Sequence, residues 1–441
     1  MTNMRNALKA LGAVLAVVAL CAPLMLLPAE DTQPALGYAG VTLTVPPTVV
    51  VATTIPGLET TTTTTEAPPP PPASEPTSTT TTTTGPIEVT IAAVGDILSP
   101  LPILESVRDP QTGSYDFAPV FAPIAPYLSK ADYTVGALEP RLAGSEAGYS
   151  ADPIANAPRE LAFELKKTGM DLIATANSHS LDLGWDGVVG TLDRLDDAGL
   201  SHVGTSRSQK ERNTPVIANI RGIKVAFLNY TASVAKKLPA DGQKDFAVNM
   251  LDFATVKQDA ATARSWGADA VVAMLNYGTE DQPEPSAGQV ALSEQILKDG
   301  GVDAILGSHA RVVQPIGHVF TYASWRANDK YVAYSLGDLL SAQGAESSGG
   351  GLIAYLHLQK RDLRTYVTGV SYLPLYMQAV TGESTAQYRI LPVLPLLEPD
   401  TDVPLTSFDR QKMAQVWEDA RRMLYRPNEN ISPLVPADLG L

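Results

Sequence analysis

Four times between residues 87 and 309 a short apolar run ends in an acid, amide or imidazole side chain. The run opening at Ile87 ends at Asp96, and the run from Asp171 to Ala176 leads to Asn177 and His179. Ala270 to Leu275 ends at Asn276, and Val302 to Ser308 ends at His309. Runs this short, separated by helix-length stretches, read as buried strands of an α/β domain. Side chains just beyond such strands converge on one crevice, where α/β sheets take their ligands. A crevice lined with Asp, Asn and His offers ligands to a divalent metal ion and donors to an oxyanion.

Not all 441 residues can share that core. Residues 1–29 place Arg5 and Lys9 ahead of an apolar stretch from Leu11 to Ala29, the pattern of an export segment. Its length approaches that of a bilayer span, so it reads equally as a cleaved signal peptide or a retained signal anchor. Cys21, the sole cysteine, follows Leu20 rather than the small residue a lipoprotein signal calls for. The exported part therefore has neither disulfides nor thiol chemistry. Residues 30–86 are rich in Thr and Pro, with uninterrupted runs at 60–65, 68–72 and 79–84. Such a linker cannot bury a core. Near polyproline II, at ~3.1 Å per residue, it reaches on the order of 150 Å, which suits a stalk through a cell wall. The remainder divides into a domain over 87–395 and a C-terminal extension with one helix over 396–441, enough for one large α/β core. Acidic residues outnumber basic ones by 47 to 32, a net charge of −15, which argues against nucleic acid as a partner.

Apolar spacing predicts helices over Phe117–Leu128, Arg159–Thr168, Trp185–Ala198, Phe253–Ser265, Gln289–Lys298 and Phe408–Tyr425. A hairpin is expected where Pro215–Ile220 and Lys224–Leu228 flank Arg221 and Gly222. Alternation from Leu352 to Gln359 predicts a half-exposed strand, and the chain from Pro374 onward reads as Pro-rich. His202, His318 and His357 read as strand or loop histidines.

The motifs gain force from their order. Val94-Gly-Asp96, Leu138-Glu139, Ala176-Asn-Ser-His-Ser-Leu-Asp-Leu-Gly184, Asn276-Tyr-Gly-Thr-Glu280, Gly307-Ser-His-Ala-Arg311 and Tyr334-Ser-Leu-Gly-Asp338 follow one another along the chain. Together they resemble the bacterial capsule-synthesis, or poly-γ-glutamate biosynthesis (CapA-type), family. Further matches are Gly222-Ile-Lys-Val-Ala-Phe-Leu-Asn-Tyr230 and Ala198-Gly-Leu-Ser-His-Val-Gly204. The resemblance spans residues 88–395 and implies a four-layer α-β-β-α sandwich of the calcineurin-like metallophosphatase type. It also implies work on an anionic surface polymer or its precursor, in the cell envelope. The sequence departs from the family pattern where Ser178, Asn276 and Arg311 stand at positions that usually carry other side chains, among them histidines.

Two classes of function follow from this reading. In the first, Asp96, Glu139, His179, Asn276 and His309 hold a divalent metal (Mn, Zn, Fe or Mg), and His179 and Asn177 serve catalysis in a hydrolase. In the second, a non-catalytic polymer-binding or assembly protein reads anionic groups with Arg311 and Asn276; in either class Arg311 and Glu280 are the substrate-facing candidates. Arg311 bears on the choice. A guanidinium about 4 Å from a divalent cation is repelled by roughly 8 kcal/mol at an effective dielectric of 20, whereas it can grip a carboxylate bidentately. The N-terminal segment, if uncleaved, also makes the membrane a partner.

Overall fold

Strand β1 (Ile87–Ile97) shows why the apolar runs are nearly continuous. Val89, Ile91 and Ala93 face one buried cluster, while Ala92 and Val94 face another. Both faces are covered, so period-two alternation has no solvent side to report. The same division recurs in β2 (Tyr133–Leu138) and β3 (Leu172–Ala174): Val135 and Leu172 join the first cluster, Leu138 and Ile173 the second.

The computed structural model describes residues 85–151, 153–236, 242–243, 245–323, 326–342, 350–380, 387–394 and 404–441, all within one compact unit, Thr80–Leu441. The expected export segment and nearly all of the Thr/Pro linker lie outside the described residues. Among the described residues no helix is long and apolar enough to cross a membrane.

Two sheets carry the fold. In the first, β1 pairs in parallel with β2, which leads through β3 to β4 (Ser201–Val203). On its other side β1 pairs antiparallel with β12 (Leu352–Arg361), followed by β13 (Arg364–Val380) and β14 (Gln387–Pro392). Two short strands, β11 (Asp338–Leu340) and β15 (Ile431–Pro433), add to β1 and β13 respectively. The second sheet runs β5 (Val216–Ile220), β6 (Ile223–Thr231), β7 (Ala270–Asn276), β8 (Ala304–Ser308), β10 (Arg326–Ala333), β9 (Ile316–Ala323). Val225, Phe227, Val272, Met274 and Leu306 reach from it into the cluster that holds Ile91 and Val135. That cluster is therefore the layer between the sheets.

Helices close both outer faces. Over the first sheet lie α1 (Leu101–Ser106), α2 (Ala118–Phe121), α3 (Ala125–Ser129), α4 (Glu160–Thr168) and α5 (Gly184–Asp197). The short α6 (Gln209–Arg212) precedes the hairpin β5–β6, and α7 (Phe253–Ser265) and α8 (Ala287–Asp299) cover the second sheet. Capping marks several boundaries. Ser286 and Gln289 form a reciprocal capping box on α8, and Gly169 ends α4 at φ 110°. The result is the expected four-layer α-β-β-α sandwich.

Three expectations need correction. Phe117–Leu128 is two short helices, with Pro119 and Pro126 each in a first turn. The strand β12 is buried on both faces rather than half exposed, because Ile353 and Tyr355 meet the helix layer while Leu352, Ala354 and Leu356 meet the other sheet. Its polar members are paired: His357 Nε2 lies 2.8 Å from Ser371 Oγ, and Gln359 Nε2 donates to Glu88 Oε1 at 2.7 Å. Pro374, finally, sits within the 17-residue β13, where its carbonyl accepts from the Val393 N–H at 2.9 Å. Helix α9 (Ser407–Leu424), one residue shorter at the end than its apolar pattern, packs Met413 and Val416 against Tyr376 and Leu391 of β13 and β14.

Candidate functional site

Because β1 to β4 are mutually parallel, their C-terminal ends share one rim, and β6 to β8 do likewise. Hydrogen bonds between the two sheets tie the rims together. The Ala176 N–H donates to Asn229 Oδ1 at 2.7 Å, and the His309 N–H donates to Asp96 Oδ2 at 2.7 Å.

Asp96 is fully buried at the end of β1, with Asp338 of β11 as its strand partner. Gly95 lets the strands approach, since a Cβ there would lie 1.8 Å from the Gly337 carbonyl oxygen. Burial and then the neighbouring Asp338 carboxylate push the Asp96 carboxyl up to about 7. Burial likewise raises Asp338 to about 6, although Arg311 works against the shift. The Arg311 Nε donates to Asp338 Oδ2 at 3.3 Å, with both side chains largely buried. Burial opposes the Arg311 charge, yet Asp338 and Glu139 hold the guanidinium above its ordinary value. The backbone bends sharply to place this segment, with φ 88° at His309 and 65° at Arg311, a region that non-glycine residues rarely adopt.

His179 is organised differently. Its Nδ1 lies 2.7 Å from Asp182 Oδ2, so a carboxylate fixes the ring and leaves Nε2 for other work. His179, Arg311, Glu139 and Ser99 line one cavity of about 110 Å³. Asn177 spends its amide on the main chain instead. Its Nδ2 donates to the Leu138 carbonyl at 2.7 Å, and its Oδ1 accepts the His179 N–H at 2.9 Å. Asn276, at the end of β7, accepts from Thr231 Oγ1 at 3.0 Å and donates to Ser308 Oγ at 3.4 Å. The exposed Glu280 raises the proton affinity of His309, but burial of that imidazole outweighs it and favours the neutral ring. The loop after Glu280 is tied to the site through the Asp281 N–H, which donates to the Ala310 carbonyl at 2.9 Å.

The structure thus brings Asp96, Glu139, His179, His309 and Arg311 together, with Asn177 and Asn276 bracing the loops behind them. Three further residues matter that sequence reasoning did not single out. Asp182 orients His179 from three positions away, and Asp338 receives Arg311. The third is Arg141, wholly buried, whose Nη2 donates to the Glu139 carbonyl at 2.7 Å and the Leu138 carbonyl at 3.3 Å. Asp182 and Asp338 both stand inside the ordered motifs, so their signal was present. Nothing in the spacing marks a buried arginine.

A sequence profile described as bacterial capsule synthesis protein PGA_cap matches residues 90–343, more than half the chain. The chain belongs to the bacterial capsule synthesis protein family. It is similar to the capsule biosynthesis protein CapA of Bacillus anthracis, 29% identical over 301 residues that make up 66% of this chain and 68% of that one. The PGA biosynthesis protein CapA of Bacillus subtilis is 26% identical over 286 residues, 62% and 70% of the two chains. Among solved structures, the calcineurin-like phosphoesterase YfkN of Bacillus subtilis aligns with a TM-score of 0.38 and 13% identity, over 76% of this chain and 98% of that one.

Whether the capsule-family site here suits a resident metal depends on its donors. Asp96 Oδ1, Asp338 Oδ1 and His309 Nδ1 are buried with no hydrogen-bond partner, which counts in favour of a bound cation. Against it, no group of three or more His, Cys, Asp or Glu is gathered closely enough to hold a metal ion among the described residues. Arg311 also brings a fixed positive charge onto Asp338 and toward Asp96. The residues present therefore do not fit a tightly held divalent ion.

Proposed function

We propose that this protein acts in the biosynthesis of an anionic capsular polymer of the poly-γ-glutamate kind, in the cell envelope after export. One carboxylate of the polymer is held by Arg311, and His179 moves a proton at the adjoining group. Membership of the capsule synthesis family supports the polymer class. The observation that carries the reading is that Arg311 and His179 line the same cavity. The Nη groups of Arg311 make no hydrogen bond with any described residue, so the planar fork remains able to take a carboxylate from two sides. In a chain of net charge −15, such a fixed cation supplies the local attraction that the surface as a whole denies a polyanion. With Nδ1 engaged by Asp182, the His179 ring offers Nε2 as acid or base.

Complementation of a deletion strain tests this. Native protein restores surface polymer, whereas Arg311→Ala and His179→Ala do not, and purified Arg311→Ala binds poly-γ-glutamate at least tenfold more weakly by calorimetry. Unchanged polymer in the deletion strain would sink the proposal. A second reading, a non-catalytic binding or assembly protein, is favoured by the Arg311–Asp338 pair in place of a metal cluster. It requires His179→Ala to restore polymer while Arg311→Ala fails.

A further inference from the structure

We propose that the Arg311 guanidinium is the resident cation of this site, standing on Asp338 where a divalent ion would otherwise balance Asp338 and Asp96. Two buried carboxylates on paired strands require a positive charge or protons nearby. Arg311 supplies the charge through its Nε contact with Asp338. The chain accepts left-handed backbone at two non-glycine positions, 309 and 311, in the loop that delivers it.

The leftover acceptors fit this reading. A metal ion collects lone pairs from all sides, whereas a guanidinium donates only in its own plane. One guanidinium on one carboxylate therefore leaves carboxylate lone pairs unmet, and Asp96 Oδ1 and Asp338 Oδ1 are so left. Since Arg311 already touches Asp338, an imidazole at position 311 would stand beside that carboxylate and add a potential metal ligand to the site. Removing the guanidinium charge also removes the repulsion that keeps a divalent ion away.

The inference concerns the same cavity but does not depend on which polymer the protein handles, and its test uses no polymer. The full-length native chain, Arg311→His and Arg311→Gln are stripped with chelator and titrated with Mn²⁺ and Zn²⁺ by calorimetry. Arg311→His is expected to bind one equivalent at least tenfold more tightly than the native chain. Thermal midpoints give the second readout: Mn²⁺ raises that of Arg311→Gln and leaves the native one unmoved, so the inference stays testable if Arg311→His fails to fold. Stoichiometric metal on the native chain with the affinity of the variants overturns the inference. So does the absence of any gain in both variants.

Discussion

The backbone N–H of His309 donates to Asp96 Oδ2 at 2.7 Å across 213 positions of sequence, joining the rims of two different sheets. A buried N–H that loses its acceptor costs about 1–3 kcal/mol. Asp96→Ala should therefore lower stability by about that amount in urea denaturation. Asp96→Asn, which retains an acceptor oxygen, should lose clearly less. Equal losses would mean that the contact carries little of the cohesion between the sheets.

The same carboxylate sets a pH dependence. Asp96 and Asp338 titrate near about 7 and about 6 in the folded chain, against 3.8 ordinarily, so the folded state holds their protons more tightly than the unfolded state does. Their contribution to stability is full below the ordinary carboxylate range and is lost as pH rises through those two values. Denaturation midpoints should fall from pH 4 to pH 7.5, and Asp96→Asn should flatten most of that decline. A variant with the native slope would place the titration elsewhere.

Asp182 is expected to act through His179. Asp182→Asn keeps the size of the side chain but no longer favours the same ring orientation and proton placement. It should lower restored polymer at least tenfold while leaving the calorimetric affinity for poly-γ-glutamate within about twofold, given that proton-transfer groups contribute about 10²–10⁴ in rate. Loss of affinity instead would make Asp182 part of the binding surface.

Arg141 links the Leu138–Glu139 turn to the Asn177 turn, its Nη2 lying 3.5 Å from Asn177 Oδ1. Arg141→Met fills similar space but leaves the buried Glu139 carbonyl without its side-chain donor, at about 1–3 kcal/mol, while the Leu138 carbonyl keeps its bond from Asn177 Nδ2. A stability loss of about 1–3 kcal/mol is expected in urea denaturation. A near-neutral outcome would show that the Glu139 carbonyl finds another donor.

The α/β class could be read from the sequence because strands covered on both faces leave unbroken apolar runs, as β1 and β7 do, whereas the four-layer arrangement followed only from the family resemblance. The expected helix Phe253–Ser265 coincides with α7 for the equally simple reason that Asp252 caps its start, accepting from the Thr255 N–H. Other elements left weaker traces. β11 has three residues, too few to show a period, so Asp338 appeared as a motif residue without a partner. β13 was masked by Pro374, whose missing N–H removes one donor from a strand long enough to keep the rest of its ladder. At the site, the acids and imidazoles announced themselves by type and position. Arg141 and the ring-orienting role of Asp182 depend on contacts that only the folded loops create.

The eight-residue ladder between β1 and β12 has a practical corollary. A fragment trimmed to the profile-matched stretch, 90–343, would discard β12, β13 and β14 and strip one flank from the central strand that delivers Asp96. Bare strand edges recruit neighbouring chains, so such a fragment should precipitate. Expression boundaries for this protein belong beyond α9, well past the end of the profile-matched stretch.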